Sequence, residues 1–157
     1  MAHIGFETHD HKTCIRKGVA EVDALCKDRK LQFTPVRKRV LEILLTEHRA
    51  VGAYEILDTL RKEDMGSQPP VAYRALDFLV SNGFAHKIER LNAFAACMHP
   101  GENHSPAFLI CRTCDSVAET QCEPILIDAA AETGFIVERT VVEALGTCPK
   151  CNNEASA

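Results

Sequence analysis

The chain has 157 residues, of which 46% are hydrophobic and eight are cysteines, enough for one ordinary domain or two small ones with real cores. No apolar run reaches membrane-spanning length and the first residues lack a basic-then-apolar leader pattern, so the expectation is a cytoplasmic protein with reduced thiols. The net charge of −4 is uneven: 15 Lys and Arg stand against 13 Asp and Glu up to Asn92, and 3 against 9 from Ala93 on, which points nucleic-acid contact to the first part.

Residues 1–12 are polar, carry His3, His9 and His11, and show no helical or strand period, so a flexible arm is expected there. From Cys14, apolar residues recur at Ile15, Val19, Val22, Leu25 and Cys26 as one helix face. Thr34-Pro35 is a start signal for a second helix, running to about His48 with Val40, Leu41 and Leu44 inward. Gly52 breaks the chain, and a third helix carries Ala53, Ile56, Leu57 and Leu60 at spacings of three and four. Pro69-Pro70 opens a fourth, with Ala72, Leu76, Leu79 and Val80 as its apolar face. Asn82-Gly83 stops it. Phe84 to Arg90 and Ala93 to Cys97 read as a hairpin turning at Asn92, so helices followed by a hairpin make a winged helix-turn-helix over residues 13–92. A joint at 93–98 leads to a small α/β domain over 99–157. There Phe108 to Cys111 and Ser116 to Glu119 read as strands, Pro124 to Thr133 as a short helix, and the β-branched stretch Phe135 to Ala144 as a strand. Residues 152–157 read as frayed. The fold class is α+β.

Cys111-x-x-Cys114 and Cys148-x-x-Cys151 are two matched knuckles separated by 33 residues. Each presents two soft thiolates from a tight turn, and together they supply the closed four-sulfur set of a structural zinc site. A pair of disulfides or two redox CxxC motifs would have the same spacing, but nothing else in the chain looks secreted or thioredoxin-like. Cys14, Cys26 and Cys122 have no partner at ligand spacing.

The outward face of the fourth helix carries Arg74, Asp77 and Ser81, flanked by Tyr73. An arginine one turn into a recognition helix can fork onto O6 and N7 of guanine, and a tyrosine can reach a phosphate or a thymine methyl. The bland reading is a solvated helix with an incidental arginine. Arg37, beside Lys38 and Arg39, and Lys87 with Arg90 on the hairpin are the expected phosphate contacts.

Leu31-Gln-Phe-Thr-Pro-Val-Arg, Gly52-Ala-Tyr-Glu-Ile-Leu, Pro69-Pro-Val-Ala-Tyr-Arg-Ala-Leu-Asp-Phe-Leu, Leu91-Asn-Ala-Phe and the paired knuckles resemble the ferric uptake regulator superfamily, and within it the zinc uptake regulator branch. The resemblance spans about residues 14–151. It implies a homodimeric, metal-activated repressor that binds palindromic operator DNA through Tyr73 and Arg74 and is no enzyme. It further implies a C-terminal dimerisation domain and two zinc ions per chain, one structural and one regulatory. The regulatory ligands map onto His86, Cys97, His104 and Glu119, whose thiolate favours zinc over iron(II). An iron- or peroxide-responsive member of the superfamily is the alternative. The family's Pro-Pro-Thr-Val helix opening is Pro69-Pro70-Val71-Ala72 here, and the histidine-dense segment of the iron-type members is reduced to His99 and His104. An ion held by all four positions would tie the winged helix to the dimerisation domain across the joint and fix the spacing of two recognition helices. Asp58 and Arg61 of the third helix read either as a link between dimers or as an intrahelical pair.

Overall fold

The computed structural model describes residue 6 and residues 10–47, 49–102, 104–122 and 125–156. Four helices open the chain: α1 (His11–Asp28), α2 (Pro35–Thr46), α3 (Ala53–Lys62) and α4 (Pro69–Ser81). Helix α1 starts earlier than its apolar period suggests, because the Asp10 carboxylate accepts the N–H of Lys12 at 3.1 Å and caps it. His3, His9 and most of the expected arm lie outside the described residues; Phe6 packs against the buried cysteines of the first and second knuckles. Thr34 caps α2 ahead of Pro35, and the Glu55 carboxylate accepts the N–H of Gly52 at 3.1 Å to start α3.

These helices enclose one core, in which Val22, Cys26, Val40, Leu41, Leu44, Ile56, Leu57, Leu60, Leu76 and Leu79 are buried together with Phe84. On α4 the inward face is Ala72, Ala75, Leu76 and Leu79. Val80, expected inward, is 36% exposed, because residues 72, 75, 76 and 79 already fill one stripe at spacings of three and four and Val80 falls on its edge.

After Gly83, at φ 76°, strands β1 (Ala85–Ile88) and β2 (Ala93–Ala96) pair antiparallel along their whole length. A 3-10 turn at Glu89–Leu91 and Asn92 in the left-handed region (φ 46°) join them. The hairpin is welded to the helices where the N–H groups of Val51 and Phe94 donate to one another's carbonyls at 2.8 and 2.9 Å.

A second sheet has the order β4-β3-β5, with β3 (Pro106–Cys111) antiparallel to β4 (Val117–Gln121) and parallel to β5 (Glu143–Gly146). Helix α5 (Ile125–Glu132) lies between β4 and β5, and α6 (Pro149–Ala155) closes the chain. Two expectations change here. Residues 135–141 stay out of the sheet, Val142 gives it only a carbonyl that accepts the N–H of Phe108 at 3.0 Å, and only 143–146 form a strand, although the stretch is β-branched; Phe135, Ile136 and Val141 are exposed, and none of the strands among the described residues pairs with them. Residues 149–155 are helical rather than frayed, since Pro149 stands at the first helical position and the N–H of Asn152 donates to the carbonyl of Cys148 at 2.9 Å.

The hairpin and the second sheet share an apolar cluster of Ala50, Ile88, Ala93, Phe108, Ile110 and Val117. Arg49, ahead of α3, also bridges Ser116, ahead of β4. The turn end of the hairpin therefore packs on the second sheet.

Candidate metal centres and nucleic-acid interface

Cys111 ends β3, Cys114 lies in the turn before β4, and Cys148 and Cys151 sit before and within the first turn of α6. The fold thus brings the two knuckles face to face, all four sulfurs within 4.8 Å of one another. Cys114 Sγ and Cys148 Sγ are 3.7 Å apart, far beyond a disulfide bond and close to the roughly 3.8 Å edge of a tetrahedron with zinc–sulfur bonds of about 2.3 Å. The N–H of Cys148 donates to Cys111 Sγ at 3.3 Å, and the Ser116 hydroxyl lies 3.1 Å from Cys114 Sγ. Such donors stabilise thiolates: the Cys111 thiol falls to about 6, chiefly through the backbone N–H groups of Cys148 and Cys114, while Cys151, hydrogen-bonded to the Cys148 sulfur, is pushed up to about 12. Sulfurs this close repel as anions, and a cation among them removes the repulsion. The donor set fits zinc.

The second quartet gathers as the resemblance implies. His86 projects from the middle of β1, Cys97 follows β2, His104 lies in the loop before β3, and Glu119 is central in β4; their ligand atoms also lie within 4.8 Å of one another. His104 Nε2 is 2.8 Å from Glu119 Oε1, Cys97 Sγ is 3.6 Å from His104 Nε2 and 3.9 Å from Glu119 Oε1, and His86 Nε2 is 3.6 Å from Glu119 Oε1. The imidazole and carboxylate side chains are only 17% exposed for His86, 8% for His104 and 4% for Glu119.

Neighbouring groups orient these donors. His104 Nδ1 donates to the carbonyl of Glu102 at 2.9 Å, which directs Nε2 inward, and the N–H of Met98 donates to Glu119 Oε2 at 2.9 Å. Burial opposes a charged His104, but its bonds to the Glu102 carbonyl and the Glu119 carboxylate outweigh that and lift its pKa. Burial likewise opposes the Glu119 carboxylate, yet His86, the Met98 N–H and His104 hold it below the ordinary value. Burial first, and the Glu119 charge second, push the Cys97 thiol up to about 12. His86 Nε2 is buried with no hydrogen-bond partner, which costs free energy unless an electron-pair acceptor sits before it. A bare buried nitrogen facing a thiol, an imidazole and a carboxylate is what a divalent cation satisfies. The quartet fits zinc as well.

On α4, Tyr73 and Arg74 are exposed one turn from the helix start, and the described residues give Arg74 no internal ion pair. Of the expected phosphate contacts, Arg37 and Lys87 have internal partners. The Arg37 guanidinium stacks 3.9 Å from the Phe78 ring centroid and donates to the Gln32 carbonyl at 2.5 Å, and Lys87 Nζ is 3.8 Å from Glu89 Oε2. Asp58 and Arg61 pair within α3 at 3.5 Å. Tyr54, which nothing in the sequence pattern singles out, is 71% exposed on the first turn of α3 and lines the same open cleft as Tyr73 and Asp77.

The zinc uptake regulation protein of Escherichia coli (strain K12) is 37% identical to this chain over 145 residues, which cover 89% of the chain and 84% of that protein. The chain belongs to the zinc uptake regulator family. No family model matches it. Among solved structures, a zinc uptake regulator complexed with zinc and DNA superposes at a TM-score of 0.86 with 34% identity, over 91% of this chain and 98% of that one. Holo XcZur, at 41% identity, superposes at 0.79 over 90% of this chain and 99% of that one, whereas apo XcZur, at 40%, reaches only 0.52 over 89% and 99%. Identity and coverage are nearly equal for the two XcZur forms, so what separates them is the arrangement of their parts. This chain is arranged like the holo form.

Proposed function

We propose that the chain is a zinc-responsive repressor of zinc uptake and homeostasis genes, a cytoplasmic regulator rather than an enzyme, that binds palindromic operator DNA as a homodimer. The observation that carries this reading is the provenance of the second quartet. His86 comes from the hairpin welded to the helices, Glu119 and His104 from the second sheet and the loop leading to it, and Cys97 from the connection between. Residues 13–96 act as the DNA-binding domain, because β2 stays paired to β1 and to Val51, which narrows the expected joint at 93–98 to its last two residues, 97–98; residues 99–157 act as the dimerisation domain. Zinc supplies one positive centre that ties these donors together. Holding the quartet closed fixes the angle of α4 to the second sheet, and a dimer grips two half-sites only at one separation and orientation of its recognition helices.

The four cysteines hold a second, structural zinc, giving two ions per chain. Ile125, Leu126, Phe135 and Ile136 on the second domain are large apolar side chains left exposed, and a second copy of the chain covers them about a twofold axis. Tyr73 and Arg74 read the operator, with Tyr54 beside them; Arg37 and Lys87 contribute phosphate contacts once freed of their internal partners. The match to relatives named for zinc, and the thiolate of Cys97, favour zinc over the iron- or peroxide-responsive alternative.

Gel shifts on operator DNA with added zinc test the reading. The wild type binds when zinc is supplied, iron(II) fails to substitute, and His86→Ala stays a folded dimer that no longer responds. An unchanged zinc response in His86→Ala would sink it.

A further inference from the structure

The quartet is one point of attachment between the two parts of the chain, and one point leaves rotation about itself. The hairpin is held a second time at its other end. Glu143, the first residue of β5, accepts the N–H of Glu89 at 2.6 Å and that of Arg90 at 3.1 Å, one carboxylate oxygen to each. These are the first two amides of the 3-10 turn at Glu89–Leu91, groups without a partner inside so short a helix. The carboxylate of Glu89 pairs with Arg139 and, at 3.8 Å, with Lys87. The Arg139 guanidinium, followed by Lys87, holds the Glu89 carboxyl below its ordinary range, so it remains an anion with cationic partners of its own. Ile88 and Ala93, on either side of the turn, pack on Phe108, Ile110 and Val117 of the second sheet. The fastening at Glu89 is about 10 Å along the strand from His86, three residues at roughly 3.3 Å each.

We infer that Glu143, backed by Arg139, is a positioning residue for operator binding: a metal-independent clasp that holds the turn of the hairpin against the second sheet. This rests on the proposed reading, in which the closed arrangement is the one that binds DNA. The clasp adds free energy to that arrangement whether or not zinc is present, and zinc adds the rest. Its loss has a signature that damage to the fold or a lost DNA contact does not share. In a two-arrangement molecule, weakening the closed form raises the zinc needed to reach it. Once zinc saturates, the closed form dominates again and operator affinity returns.

The experiment is a zinc titration of fluorescence anisotropy on labelled operator DNA, comparing wild type with Glu143→Ala, Glu143→Gln and Arg139→Ala. Glu143→Ala is expected to raise the half-maximal zinc concentration roughly five- to tenfold, less than a buried charge-assisted bond would contribute, because water competes at this half-exposed site. Glu143→Gln, which keeps one acceptor oxygen, falls between it and wild type. Operator affinity at saturating zinc stays within about twofold of wild type. An unchanged midpoint overturns the inference, and so does an affinity at saturation that drops as far as the midpoint shifts. Amide hydrogen exchange at Glu89 and Arg90 reads the clasp without DNA: protection there falls in Glu143→Ala, and equal protection in wild type and variant overturns it. If the wild type fails to bind the operator with zinc, the functional reading has failed, and the exchange experiment still decides on the clasp.

Discussion

Arg74 and Cys97 carry most of the chemistry proposed at the level of single side chains, and each makes a prediction of its own. Arg74 is exposed on α4 with no internal ion pair among the described residues, so Arg74→Ala should cost about 1–3 kcal/mol at the guanine it reads and little at mutated operators lacking that base. Competition binding against single-base operator variants checks this; a uniform loss across all sequences would place Arg74 on the backbone. Cys97 makes zinc binding depend on pH. Its thiol, pushed up to about 12, is protonated throughout the physiological range and must release that proton to become a ligand. His104, whose pKa is raised, releases a second proton at the acid end. Bound protons oppose zinc, so zinc affinity at the quartet should rise with pH, by about tenfold per unit for the thiol proton alone. Chelator competition at pH 6, 7 and 8 measures it, and a flat profile would mean that Cys97 is no ligand.

Among the elements, the two knuckles are the most exacting. Cys111 closes β3, and Cys148 opens α6, so the four sulfurs tie the last helix to the centre of the second sheet. Cys111→Ser should strip the structural metal, lower the melting temperature and shift the protein from dimer to monomer in sedimentation; an intact dimer with normal melting would contradict that. The helices α2 to α4, the hairpin turning at Asn92 and both knuckles were legible in the sequence because local signals agree there: a Thr-Pro start, a Pro-Pro start, apolar residues at three and four, and a glycine stop. Where long-range packing decides, the pattern misled. Phe135 to Val142 has strand composition but forms no strand; it meets the rest of the chain through the Arg139–Glu89 pair and the Val142 carbonyl, and only Glu143 to Gly146 runs in register with β3. Pro149 starts a helix that the polar composition of residues 152–155 conceals. The four residues of the second quartet are scattered over 34 positions, from His86 to Glu119, and no spacing rule joins them; they were legible only through the resemblance. Glu143 was silent altogether, since a carboxylate that caps a turn more than 50 residues away leaves no local trace.

For the molecule as a whole, the proposed switch is mechanical. The hairpin is rigidly joined to the helices through Phe84, Ala85 and the Val51–Phe94 bridge, and it meets the second sheet through an apolar cluster, the quartet and Glu143. None of these contacts need touch DNA. In the proposed mechanism their combined effect is to choose one angle between α4 and the surface that a second copy would cover, and the affinity gained would equal the preference of zinc for that angle, commonly 5- to 150-fold. Small-angle X-ray scattering during a zinc titration, with the cysteine site kept loaded, tests that claim most directly. The account predicts that scattering from wild type passes from a broad ensemble to one compact arrangement as the quartet fills, while Cys97→Ser does not change. Superimposable curves for wild type with and without zinc at the quartet would contradict it.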